Sequence, residues 1–219
     1  LIIRSNGTYS QQLASISILE QRRIKGIVKT GMTQNKAMIN IAQDVGKSGL
    51  LTSKVQLQTL TRTAITETSN FVSNTTYKLN DDVVQGYQYV ATLDSRTSLI
   101  CGRLDGKVYS LDNENAPQPP QHFNCRSTTI PVIKSTNQLL NTDNNRLQKR
   151  KIARLSDSRR ASINGQVPAK TTYPEWLKTQ PNEVKLAVLG SSKRVNLFDS
   201  GKVKFSQFSN RNGKLISLK

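Results

Sequence analysis

Acid, aromatic side chains, sulfur and histidine are all scarce in this sequence. Asp and Glu number 14 among 219 residues, against 32 Lys and Arg. Aromatics make up 5% and apolar residues 35%, which is lean for a globular chain. The core should therefore be modest, and some segments should order only against partners. Two cysteines exclude a disulfide-rich secreted scaffold. No apolar run approaches the roughly 18 residues that cross a bilayer, so no membrane partner is expected. Leu1–Ile3 is too short for a signal-peptide core and no cleavage pattern follows it. Because the first residue is Leu1 rather than methionine, the sequence reads as a fragment or processed product.

What is present is positive charge, unevenly placed. The formal net charge is +18. Residues 146–219 hold 17 basic and 4 acidic side chains, whereas residues 1–145 hold 15 and 10. A field of that sign draws polyanions, DNA first among them, or else serves as a solvated basic face. Phosphate contacts need only Lys and Arg. The candidates are Arg146, Lys149, Arg150, Lys151, Arg154, Arg159 and Arg160.

The patterning predicts an α+β protein in four parts. Residues 1–80 read as helical. One segment runs from about Tyr9 and stops at Gly31, a second is capped by Thr33, and a third spans Ser53–Leu79 with Leu57, Leu60, Ala64, Ile65 and Phe71 as its apolar side. The Thr and Ser content of the third lowers its propensity, so it should depend on packing. Residues 81–135 read as a small mixed or antiparallel β module. It has strands near Tyr87–Leu93, Lys107–Tyr109 and Thr128–Ile133, a turn at Asp105-Gly106 and a long Pro-rich loop at 112–121. Residues 136–170 read as a basic linker, and 171–219 as a small α+β subdomain with helices opened by Pro174 and Pro181 and a turn at Asn212-Gly213.

The only histidine and both cysteines fall within 25 residues, as Cys101, His122 and Cys125. Three chemistries fit. Tetrahedral zinc would use all three, with a fourth ligand recruited from Asp94, Asp105 or Ser98. A disulfide would close the proline-bearing loop. Two buried thiols with a hydrogen-bonded imidazole would hold the loop without either. A Cys–His nucleophile pair is conceivable, and a metal-dependent nuclease would need more carboxylate or histidine ligands than this segment supplies; no enzyme and no catalytic residue is expected. Asp94, Arg96, Asp105 and Arg126 surround the cluster and are candidates for loop-locking ion pairs.

The string carried by Asp94, Arg96, Thr97, Cys101, Leu104, Asp105, Gly106, Pro119, Pro120, His122, Asn124, Cys125 and Arg126 resembles the core motif of the phage head morphogenesis family, typified by the Mu-like minor head protein. Thr61-Arg62-Thr63-Ala64 upstream and Tyr173-Pro174-Glu175-Trp176-Leu177 downstream extend the likeness over about residues 50–218. The chain departs at Ser98, where some members carry a further cysteine, and this weakens the zinc alternative. The resemblance implies a virion protein of few copies inside the head, oligomeric there and associated with the portal or the major capsid protein. It implies assembly in the host cytoplasm and a role in head assembly, with DNA packaging or ejection beside it. Packaged double-stranded DNA would face the basic third. The alternative is a sequence-independent nucleic-acid-binding module with a zinc knuckle.

Overall fold

The structure is a computed structural model and describes residues 18–48, 54–135, 139 and 158–217. Within them seven α-helices and two small antiparallel sheets give the α+β class expected from the sequence. Of the basic stretch, Arg146, Lys149, Arg150, Lys151 and Arg154 lie outside the described residues.

Three helices form the first unit: α1 (Ile18–Thr33), α2 (Met38–Lys47) and α3 (Lys54–Leu79). Ile24 and Val28 of α1, Ile41 and Val45 of α2 and Ala64 of α3 share one buried cluster. The four-residue spacings put each pair on one helix face. Gly31, expected to stop α1, lies inside it and is buried. A Cβ there would stand 2.6 Å from Ile41 Cγ1, so the glycine permits close approach of two helices rather than ending one. Thr33, expected to cap α2, instead donates its hydroxyl back to Thr30 O at 2.9 Å. Nor does Phe71 lie on a buried side of α3: it is 69% exposed, and Thr63 and Asn70 are buried instead.

The second unit is a three-stranded sheet in the order β2-β1-β3, built from β1 (Val84–Val90), β2 (Val108–Ser110) and β3 (Thr128–Ile133). Tyr87 pairs with Tyr109 on one side and Pro131 on the other, and Tyr89 faces Thr129. Pro131 fits there because β3 is an edge strand. Gly106, at φ 78°, makes the expected turn into β2. Between β1 and β2 lies a short helix the sequence did not announce, α4 (Leu99–Leu104), whose Cys101 N–H is accepted by Ser98 Oγ.

The last unit starts where a linker was expected. Residues 159–168 form a hairpin of β4 (Arg159–Ser162) and β5 (Gly165–Pro168), turning at Ile163-Asn164, with Gly165 opening β5 at φ 110°. Asn-Gly between two extended runs is a hairpin signal that the density of charge obscured. Helices α5 (Tyr173–Lys178), α6 (Asn182–Leu189) and α7 (Ser192–Asp199) follow, then a 3-10 turn at Phe205–Gln207. Tyr173, Trp176, Leu177, Leu189, Phe198, Phe205 and Phe208 make the largest apolar cluster, and Leu93 and Leu99 from the sheet unit join it. Its rings meet edge to face, as Phe198 and Phe205 do at 6.0 Å between centroids, the arrangement aromatic quadrupoles favour.

Candidate functional site

Four consecutive residues, His122 to Cys125, reach into three different environments. Phe123 is buried among the three helices with Ile24, Val28, Ile41 and Val45. Cys125 is buried in the sheet unit with Tyr89, Ala91, Ile100 and Cys101. Asn124 turns the chain between them at φ 57°, a left-handed conformation that asparagine tolerates better than most residues. Its N–H is accepted by Thr63 Oγ1 at 2.9 Å, and its side-chain amide donates to Thr59 Oγ1 at 3.2 Å. His122 returns to α4. This knuckle therefore ties the helical unit to the sheet unit.

The sulfur and imidazole atoms converge. Cys101 Sγ lies 3.6 Å from Cys125 Sγ and 3.2 Å from His122 Nε2. Both cysteines are free thiols in this structure, so the disulfide alternative is not the state it holds. His122 Nδ1 is 2.7 Å from Phe123 O. A carbonyl only accepts, so Nδ1 carries the hydrogen and Nε2 presents a lone pair to the sulfurs and to Ser98 Oγ, 2.8 Å away. The hydrogen bond with Cys125 pulls the Cys101 thiol down to about 6 against the effect of burial, helped by Ser127, Ser98 and Tyr89. The same contact, with burial, pushes Cys125 up, so the pair shares its proton unequally. Burial likewise raises Tyr89, whose hydroxyl remains a donor to Cys101 Sγ at 3.3 Å.

Cys101, His122 and Cys125 form a group able to hold a metal ion, with their ligand atoms all within 4.8 Å of one another. A tetrahedral zinc bound by two thiolates at about 2.3 Å sets its sulfurs ~3.8 Å apart, close to the observed separation. A histidine whose Nδ1–H is fixed by a backbone carbonyl is also the usual support for a metal ligand. The donor set and its tautomer thus fit zinc, with three protein ligands among the described residues.

Two Asp–Arg pairs brace the knuckle's flanks. Asp94 receives both guanidinium nitrogens of Arg126, at 2.5 and 2.7 Å, and the Arg96 N–H at 3.0 Å. Burial acts most strongly on Asp94, against ionisation, but the Arg126 hydrogen bonds and charge outweigh it and hold the carboxyl below its ordinary value. The Arg96 side chain, grouped with the others by sequence, is 79% exposed and stays 3.8 Å away. Asp105 is fully buried and accepts from Ala91 N–H at 2.7 Å, Tyr173 N–H at 2.6 Å and Arg160 at 3.0 and 3.1 Å. Arg160 also donates to Thr171 O and Ala91 O. The sequence had grouped Arg160 with the phosphate-facing cations, but the structure places its guanidinium inside, as the partner of Asp105. Arg159 is exposed and donates to Gln166 O at 3.2 Å.

A stripe of polar residues on α3 completes the site, and sequence reasoning missed it. Thr59, Thr63, Thr66, Asn70 and Tyr77 recur at spacings of three, four and seven, so they line one helix face. Thr66 Oγ1 reaches Cys125 O at 3.1 Å, Asn70 Nδ2 reaches Ser127 O at 3.5 Å, and the Tyr77 hydroxyl reaches Thr129 O at 3.1 Å. These are alternate carbonyls along one edge of the segment that becomes β3. An exposed edge of this kind invites pairing with another chain, and here a helix covers it. The signal was present in the spacing of Thr and Asn, which a search for apolar periodicity passes over.

A family model described as Phage Mu protein F like protein matches residues 21–130, half of the chain. The match takes in the three helices, the knuckle and the start of β3. No curated protein and no solved structure matches the chain significantly.

Proposed function

The chain belongs to the phage Mu protein F-like family of head morphogenesis proteins, and on that premise we propose a structural component of the phage head that acts without catalysis. In this reading it is a minor protein inside the capsid, oligomeric, set against the portal or the major capsid protein. It acts in head assembly and beside DNA packaging or ejection. The observation that carries it is the knuckle itself. His122 has both ring nitrogens engaged, Cys101 is 2% exposed and Cys125 1%, and Ser98 and Thr66 beside the cluster hold the Cys101 and Cys125 backbone in place. That suits a brace for a docking surface better than a centre that admits substrate. Protein mass spectrometry of purified particles tests it: the polypeptide should be present at a few copies per head, and its absence from intact particles would sink the reading.

A second element is zinc. Cys101, Cys125 and His122 would hold the ion, which would supply a rigid cross-link between α4 and the knuckle. Native mass spectrometry of the full chain should show one zinc per molecule, lost in a Cys101→Ser, Cys125→Ser double variant. A metal-free mass at neutral pH would leave the two thiols and the imidazole to do the bracing alone.

The basic surface is proposed to face packaged duplex DNA. The net charge of +18 supports this, as does Arg159 standing free of the core. Arg160 is withdrawn from that role by its pairing with Asp105. Binding to duplex DNA should fall steeply with salt, because each phosphate contact releases counterion. A flat salt dependence would contradict it.

A further inference from the structure

A cleft of about 380 Å³ opens between α4, α5, α7 and the 3-10 turn, and it shares no residue with the knuckle. Four cations line it: Arg103, Lys107, Lys178 and Lys204. The ion pairs among the described residues use none of them. The one acid in the lining, Glu175, is already engaged, accepting the Thr172 N–H at 2.7 Å. Between the cations the lining includes the apolar residues Pro174, Val203, Phe198 and Phe205. Lys178 Nζ stands 5.7 Å from the Phe198 ring centre, a cation–π distance that sets this exposed charge at the rim of the cleft.

The cleft therefore asks for negative charge and an apolar group at once. Single-stranded nucleic acid meets the first need through phosphate and the second by stacking bases on open ring faces. Here no ring face is open: Phe198 is 2% exposed and Phe205 4%, each packed against other rings. A peptide meets both needs with carboxylates at the rim and one apolar side chain on the floor. We propose that this cleft is a docking site for a short acidic segment of another protein, carrying at least one apolar anchor between its carboxylates.

The test uses the full chain and a displayed library of random twelve-residue peptides, selected on the wild type and counter-screened on a Lys107→Glu, Lys178→Glu double variant. Both lysines are exposed, so the variant should melt like the wild type. Enriched peptides should carry Asp or Glu flanking Leu, Met or Phe, and should bind the variant at least tenfold more weakly. An all-Glu peptide of equal charge and a single-stranded oligonucleotide of equal charge should each bind the wild type at least tenfold more weakly than the selected peptides. No enrichment, enrichment without acids, binding that survives the charge reversal, or an oligonucleotide that binds as well as the peptides would overturn the proposal. The particle-composition experiment above is independent of this outcome.

Discussion

At the scale of single residues, two carboxylates that look alike in sequence differ in what they hold. Asp105 is fully buried against Arg160, whose side chain is 13% exposed. Asp105→Ala leaves that guanidinium buried without its partner, so chemical denaturation should show a loss of about 3–5 kcal/mol. Arg96→Ala should change stability by less than about 0.5 kcal/mol, since its side chain is 79% exposed. Similar losses from both would mean that burial does not sort these residues. Asp94 makes a statement about pH. Its carboxyl is held below the ordinary value when folded, so its contribution is complete above the unfolded pKa, about 3.9, and is lost as pH falls through the folded value. The stability gap between wild type and Asp94→Asn should therefore be constant above about pH 5 and close below about pH 4. A gap that widens toward acid pH would reverse the sign. The Asp94–Arg126 pair was within reach of sequence reasoning because both residues flank the cysteine–histidine cluster. The Asp105–Arg160 pair was not, since 55 residues separate its members and the arginine sits in a run whose charge suggested solvent.

At the scale of elements, α3 explains its own composition. A helix rich in Thr and Asn has poor intrinsic propensity, and here those side chains satisfy carbonyls along the edge that leads into β3. Asn70→Leu should raise helix propensity yet lower the melting temperature. It strips the Ser127 carbonyl and Thr128 hydroxyl of a partner and costs about 1–3 kcal/mol. A variant more stable than wild type would show that the polar face is incidental. Apolar periodicity and turn chemistry made α1–α3, α5 and α6, the Asp105-Gly106 turn and the strand near Thr128–Ile133 readable in advance, but not α4 or α7. Gly31 misled because a glycine at a close approach and a glycine at a helix end look the same in one dimension. The β4–β5 hairpin was hidden because four-residue strands carry too little alternation to stand out from the charges around them.

At the scale of the whole molecule, the account holds that the knuckle couples the helical unit to the sheet. Phe123 enters one core and Cys125 the other, two residues apart. The sequence made the cluster of Cys101, His122 and Cys125 visible but not its reach into the helices, because Phe123 is a single aromatic with no periodic neighbours. Hydrogen–deuterium exchange on the full chain carrying His122→Ala tests the coupling directly. The account predicts that amides of α3 and of β1 and β3 lose protection together, although the hydrogen-bond partners of His122 lie at α4 and within the knuckle and not in those elements. Loss of protection confined to residues 119–126, with α3 and the sheet unchanged, would contradict it.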